Sequence, residues 1–356
     1  MTNSETKSPA ELRADRLSAL RSEWTGLSGK ITLGYLGDEI EDRAGQIEAL
    51  PLRVAELRKR GYRYHGDWEA RVEAMSEGWP ERRRRAIRLQ SERARSLQVP
   101  AKEIAELCDH SMLSDGALDR LESSLEELEA KLEDAERGVR GAYDSLDAPL
   151  YELEREFDAA EAVLESMDTA SFDFYPDENG VAVCKATWIN HPDEPEGLLF
   201  LTDGRLVFEQ REKKAKKKVL FITTESELVQ ELLWESPVGN IEDLAAEDKK
   251  KMLSRKELLH LGFREYSAGL HGDVSLQLKG TTNEEWAGLI KRVQSGEIEA
   301  DRHGAPDPAE AAVDSAPPTP PQEIPTKCPA CGGQLPTLVK GMRELTCEYC
   351  STVVRL

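Results

Sequence analysis

Apolar residues recur at every seventh position from Leu118 onward, with Leu118, Leu125, Leu132, Val139, Leu146, Leu153, Ala160 and Met167 falling on one row. That period places them along one face of a helix. A companion row of Leu121, Leu128, Ala135 and Ala142 then meets Pro149 and Glu156, while Leu150, Phe157 and Leu164 take over one residue later. The apolar seam changes face there, so a kink or helix boundary is expected near Pro149. The helix is expected to begin near Ser114-Asp115, and if unbroken from 116 to 167 it would be about 75 Å long at about 1.5 Å per residue. A rod of that length needs a partner.

Residues 116 to 167 hold 16 acids and 5 bases, which opposes parallel pairing with a second copy more than pairing with a basic helix. Glu81-Arg82-Arg83-Arg84-Arg85-Ala86-Ile87-Arg88, continuing through Arg93 and Arg95, is the basic candidate. An antiparallel hairpin turning near Ser111 to Gly116 would neutralise both faces. Upstream, Ala10 to Leu27 and Asp38 to Arg60 read as shorter amphipathic helices, the second broken or kinked at Pro51, with Leu12, Leu17, Leu20 and Leu27 among the buried candidates. Residues 8–168 are therefore expected to be a helical, coiled-coil-like region. Its seam would run through Leu118, Leu121, Leu125, Leu128, Leu132, Val139, Leu146 and Leu153, and self-association through these helices is one expected use of it.

After Met167 the period changes from helical to two. Val181 to Trp188 reads as a half-buried strand, with Ala182, Cys184, Ala186 and Trp188 on one face. Gly197 to Thr202 and Arg205 to Glu209 are two apolar runs separated by Asp203-Gly204, a hairpin signal in which glycine would supply positive φ to a two-residue turn. Further strand candidates are Val219 to Thr223, Leu232 to Glu235, Glu257 to Phe263 and Val274 to Leu278. Thr282 and Glu285 then form a capping box before Trp286, Leu289, Ile290 and Val293. This layout, with the hairpin Gly197-Leu-Leu-Phe-Leu-Thr-Asp-Gly-Arg-Leu-Val-Phe208, resembles the GRAM and bacterial pleckstrin-homology-like family over about 171–295. The resemblance implies a small antiparallel barrel closed by a C-terminal helix, which binds lipid or protein without catalysis.

Charge sharpens this picture. Arg211, Lys213, Lys214, Lys216, Lys217 and Lys218 surround one acid directly after the hairpin. Read as a loop, this cluster either meets an anionic membrane surface or an acidic protein segment, or protects a sheet edge in solvent. The whole chain has 356 residues, Lys+Arg 47 and Asp+Glu 68, with net charge −21, which argues against a general binder of polyanions. At 39% hydrophobic, 32% charged and 6% aromatic it suits two or three modules better than one large globule. No run of about 18 apolar residues and no signal-like start occurs, so the chain is expected to be cytoplasmic, peripheral to a membrane where the lysines meet lipid.

From 296 to 326 the sequence is rich in Pro, Ala and acids, and reads as an extended linker. It leads to Cys328-Pro-Ala-Cys331, fifteen residues, and Cys347-Glu-Tyr-Cys350. Two such knuckles set four thiolates around a tetrahedral site, with one structural Zn2+ as the expected ion and no open position for a catalytic water. Residues 327–356 resemble the zinc-ribbon family, in which Gly332-Gly333 permits the turn and Leu335, Leu338, Val339 and Leu345 lie in short strands. The segment's four bases against two acids, and its lone aromatic Tyr349, give little to hold nucleic acid.

Other motifs lead nowhere. Gly26-Leu-Ser-Gly-Lys30 lacks the spacing and hydroxyl of a phosphate loop, Cys108-Asp-His110 lacks an orienting partner, and the six histidines have no ligand spacing. The expected fold is α+β multidomain: helical N-terminal half, pleckstrin-homology-like barrel, linker, zinc ribbon. The expected function is a non-enzymatic adaptor or scaffold with protein partners. The alternative is a nucleic-acid-associated factor touching phosphates through the ribbon and the Arg82–Arg95 helix.

Overall fold

The computed structural model describes residues 8–219, 222–251, 254–264, 270, 272–304, 326–335 and 339–355, with backbone alone for 214–219, 222–227, 249–251 and 254–255. In chain order the helices are α1 (Pro9–Ser28), α2 (Gly34–Lys59), α3 (Trp68–Asp109), α4 (Asp115–Arg140) and α5 (Asp147–Asp168). Strands follow as β1 (Gly180–Trp188), β2 (Glu196–Thr202), β3 (Arg205–Val219), β4 (Ile222–Pro237), β5 (Ile241–Lys251), β6 (Ser254–Phe263) and β7 (Val274–Lys279). Helix α6 (Asn283–Ser295) and two short strands, β8 (Glu344–Thr346) and β9 (Val353–Arg355), complete the described elements. The chain divides into two compact units, Met1–Arg53 with Glu69–Glu154, and Val54–Trp68 with Arg155–Leu356.

The first unit is helical. Ser8 caps α1 through a reciprocal box with Glu11. The apolar row of α4, from Leu118 through Leu121, Leu125, Leu128 and Leu132 to Val139, is buried along its length, and so is Leu146. Leu17, Leu20 and Leu27 are also buried, whereas Leu12 is 56% exposed, against expectation. The expected single helix from 116 to 167 is two. The break falls at Gly141 and a 3-10 turn at Asp144–Leu146, one turn before Pro149. Pro149 sits in the first turn of α5, where its missing N–H has no intrahelical acceptor to lose. Pro51, Pro80 and Pro100 lie inside α2 and α3, which the helix assignment carries through without interruption.

The arginine run distributes differently from the proposed hairpin. Arg93 does meet Asp134 across the reversal between α3 and α4, at 3.1 Å. Arg83, however, donates to both oxygens of Glu41 in α2, each at 2.7 Å, and Arg82 to Gly78 O of its own helix. The acidic face of α4 is met by α1 instead, with Arg13 on Asp115 at 3.3 Å and Arg16 on Asp119 at 2.8 Å and on Glu122. Exposed pairs of this kind add about 0.2–1 kcal/mol each and set register more than stability.

In the second unit, seven antiparallel strands are hydrogen-bonded in the order β4-β3-β2-β1-β7-β6-β5, and α6 follows the last of them. This is a pleckstrin-homology-like sheet. Two strands that the sequence read as short are long: β3 and β4 stay paired from Arg205↔Pro237 out to Val219↔Ile222, with bulges at Phe208/Glu209 and beyond Ala215. Of the candidate strand Val219 to Thr223, Val219 ends β3 and Ile222 and Thr223 begin β4, residues 220–221 lying outside the described ones, and β5 occupies a stretch for which no strand was expected. Thr282 and Glu285 make the expected box, and Trp286, Ile290 and Val293 of α6 are buried. Gln294 Nε2 donates to Val238 O at 2.9 Å and Ile241 O at 2.8 Å, fastening the helix to the corner between β4 and β5.

Residues 296 to 304 are structured, in contrast to the expected linker. A 3-10 turn covers Glu297–Asp301, Gly66 donates to Asp301 O at 2.8 Å, and His303 N donates to Arg63 O at 2.6 Å. The expected linker beyond Gly304, residues 305–325, lies outside the described residues.

Candidate metal centre and docking surfaces

The two cysteine knuckles have the same backbone. Cys328 O accepts from Gly332 N and Cys347 O from Ser351 N, each at 2.8 Å, and the fourth residue past each leading cysteine is left-handed: Gly332 at φ 73° and Ser351 at φ 56°. Cys328 N in turn donates to Gly333 O, and Cys347 N to Thr352 O. The turns bring the four sulfurs within 4.8 Å of one another, with Cys328–Cys350 and Cys331–Cys347 both at 3.6 Å. Four thiolates bound tetrahedrally at about 2.3 Å would stand about 3.8 Å apart. A disulfide would need about 2.05 Å, and the four cysteines are free of one. Leu335, Leu345 and Val354 pack with Cys328 and Cys347, while Leu338 lies outside the described residues.

The ribbon is seated on the barrel. Gly239 N donates to Lys340 O at 3.0 Å, Lys340 Nζ donates to Val293 O, and Arg343 binds both oxygens of Asp177 at 2.7 and 2.8 Å while lying 5.3 Å above the Tyr175 ring. Gly341, at φ 89°, brings its backbone against the turn between β2 and β3; a Cβ there would stand 1.7 Å from Gly204 O. Gly204 itself is not left-handed. The expected positive φ is absent from that turn because Thr202 Oγ1 closes it, accepting from Gly204 N at 3.2 Å and Arg205 N at 2.9 Å. Gly341→Ala is therefore expected to unseat the ribbon, read as faster amide exchange at Gly239 with unchanged metal content. Gly204→Ala, whose Cβ would meet Gly341 Cα at 3.7 Å, should be tolerated.

Beneath the seat lies a buried ion network that sequence reading missed. Arg205 binds Glu178 with two bonds of 2.8 and 2.9 Å, reaches Glu235 and Asp173 O, and stacks 4.5 Å over Tyr175. Burial is the largest single influence and works against the guanidinium charge, but the Glu178 hydrogen bond and the attraction of Glu178 and Glu235 together outweigh it and raise the Arg205 pKa. The adjoining cavity, lined by Tyr175, Pro237, Met342 and Arg343, holds about 170 Å³, below the roughly 300–1,000 Å³ of ligand pockets.

The lysine run lies on a strand, where a loop was expected. Arg211 is taken up by Glu209 at 2.8 Å and by Thr169 O, and Lys213 is exposed. Register sets Glu227 opposite Lys214 and Glu225 opposite Lys217; the side chains of Lys214, Lys216, Lys217 and Lys218 lie outside the described residues. The other long hairpin pairs like with like: Lys249↔Lys256 and Lys250↔Arg255, with Lys251 beside them. The signal for this second basic tip, Lys249-Lys-Lys251 and Arg255-Lys256, stood in the sequence, and only the unread strand β5 hid it. One step below it, Asp248, Glu257 and Glu284 come within 4.8 Å of one another at the start of α6. Asn283 N and Nδ2 donate to Glu257 and Asp248, so these carboxylates serve the helix N-terminus.

No family model matches the sequence, and no curated protein matches it. Among solved structures the chain is similar to the Vps36 N-terminal PH domain, at 14% identity over 35% of this chain and 86% of that one, TM-score 0.22. It is similar to the DH/PH domains of p115-RhoGEF at 17% identity, covering 70% of this chain and 67% of that one, TM-score 0.21. A complex of PDZ-RhoGEF DH/PH domains with GTP-gamma-S activated RhoA matches at 12% identity over 81% and 95%, TM-score 0.22. The fold assignment rests on the strand order and closing helix. Among the described residues, no helix is long and apolar enough to cross a membrane.

Proposed function

We propose that this chain is a non-enzymatic adaptor whose GRAM- or pleckstrin-homology-like barrel docks on an anionic surface. A ribbon closed around one structural Zn2+ is seated beside it as a second docking face, for a protein partner. The observation that carries this reading is the register of β5 and β6. Like charges set directly opposite each other weaken a hairpin, and Lys249↔Lys256 and Lys250↔Arg255 do so twice in succession. An anionic surface relieves that repulsion and gains about 1 kcal/mol per basic residue brought to it. On β3 the register sets glutamates, not bases, opposite Lys214 and Lys217, so Arg211, Lys213, Lys214, Lys216, Lys217 and Lys218 are assigned the smaller share.

The test is cosedimentation of the full chain with phosphatidylserine–phosphatidylcholine vesicles against phosphatidylcholine alone. Binding should require the anionic lipid and fall with salt. The K249E/K250E/K256E variant should lose binding by at least about tenfold, K213E by less. Equal binding to neutral vesicles, or an unchanged triple variant, overturns the reading.

A further inference from the structure

The arginine run of α3 divides into two sets. Arg82, Arg83 and Arg93 are engaged within the helical unit, on Gly78 O, Glu41 and Asp134. Arg84, Arg85, Arg88 and Arg95 are exposed and have no hydrogen bond or ion pair among the described residues. At about 100° per residue Arg84, Arg88 and Arg95 fall within about 40° of one another, a stripe on the order of 16 Å long. Two apolar side chains lie on or beside it, Val99 at 67% exposure and Ile87 at 39%. Arg84 and Arg88, four apart, repel each other along the helix. In a chain of net charge −21 that repulsion is retained at one exposed place.

Two acids lie on this face along the stripe or within one turn of it. Glu81 and Glu92 are exposed and lie within about 80° of Arg84. A uniform run of phosphates meets repulsion at both, and gains nothing from Val99 and Ile87. A protein helix fits better. Acids spaced to meet Arg84, Arg88 and Arg95, a base opposite Glu92 and one apolar residue against Val99 would satisfy the groups from Arg84 to Val99 that line the stripe most directly, with arginine forks holding carboxylates by two bonds each.

We propose that the solvent face of α3 from Arg84 to Val99 is a docking strip for an acidic amphipathic helix of a partner protein. The strip belongs to the helical unit, so its failure leaves the proposed role of the barrel untouched. The probe is a labelled synthetic helical peptide carrying glutamates at positions 1, 5 and 12, a lysine at 9 and a leucine at 16, with a scrambled peptide of the same composition and a duplex DNA oligonucleotide as comparisons. Fluorescence anisotropy on the full chain should show the patterned peptide binding at least about tenfold tighter than the scrambled one. R84E/R88E/R95E should lose that margin, and so should the milder R84Q/R88Q/R95Q, with circular dichroism unchanged for the latter. A scrambled peptide or DNA that binds as tightly as the patterned peptide, or a glutamine variant that keeps the margin, overturns the proposal.

Discussion

Replacing Cys347 with serine is expected to abolish metal binding at the four-sulfur cluster and, with it, the folded ribbon. The core there is Leu335, Leu345 and Val354 around two buried sulfurs, far too little apolar surface to hold a domain of this size on its own. In zinc-finger peptides the ion supplies about 10–16 kcal/mol, all of it folding free energy, because no preformed site exists in the unfolded chain. Metal content should fall from one per chain to none, on mutation or on chelation. Amide protection at Leu345 and Cys347, whose N–H groups bond β9 and Thr352 O, should vanish. The barrel should keep its own unfolding transition, since its core of Phe208, Trp234 and Trp286 is separate. Protection at Leu345 that survives in chelated, metal-free protein would show that something other than the ion holds the ribbon.

The second large effect lies at Arg205. Substituting methionine leaves the Glu178 side chain, 1% exposed, as a buried carboxylate without its cation. Breaking a buried pair from one side costs about 3–5 kcal/mol, whereas replacing both partners with apolar residues is often neutral. Arg205→Met alone should therefore lower the barrel's Tm by on the order of 10 °C. The double variant R205M/E178M should recover much of the loss, although Tyr175 N then loses its acceptor and Thr202 Oγ1 keeps only the Arg205 carbonyl. A double variant no more stable than the single one would mean that Glu178 acts mainly as a hydrogen-bond acceptor for Tyr175 N and Thr202 Oγ1.

The parts of the chain legible beforehand were those whose side chains carry a period or a fixed spacing. The α4 row, the β2–β3 hairpin, the Thr282 box and the four cysteines all belong to this class. Strand β5 does not. It lies at one end of the strand order, and among its described side chains Glu242, Asp243, Ala245, Ala246, Glu247 and Asp248 are exposed, so no alternation marks it and its Ala and Glu content favours a helix. The lysines of β3 were read as a loop for a related reason: lysine has no strand preference, and the pairing with β4 is a backbone property.

Helix α4 ends at Gly141, and Pro149, expected to mark the break, is instead accommodated in the first turn of α5. The ribbon's spacing announced the cluster of four sulfurs but not its seat. That seat is made by the Gly341 backbone, one Lys340 carbonyl and a salt bridge to Asp177, none of which leaves a compositional trace.

The paired left-handed positions of the two knuckles make the clamp unequal. Gly332 adopts its conformation without steric penalty, while Ser351 holds φ 56° against a cost of about 1–2 kcal/mol. One jaw rests at ease and the other is sprung. An agent that strips the ion, whether a chelator or an oxidant, should pry open the Cys347–Cys350 side first, and Ser351→Gly should slow its escape.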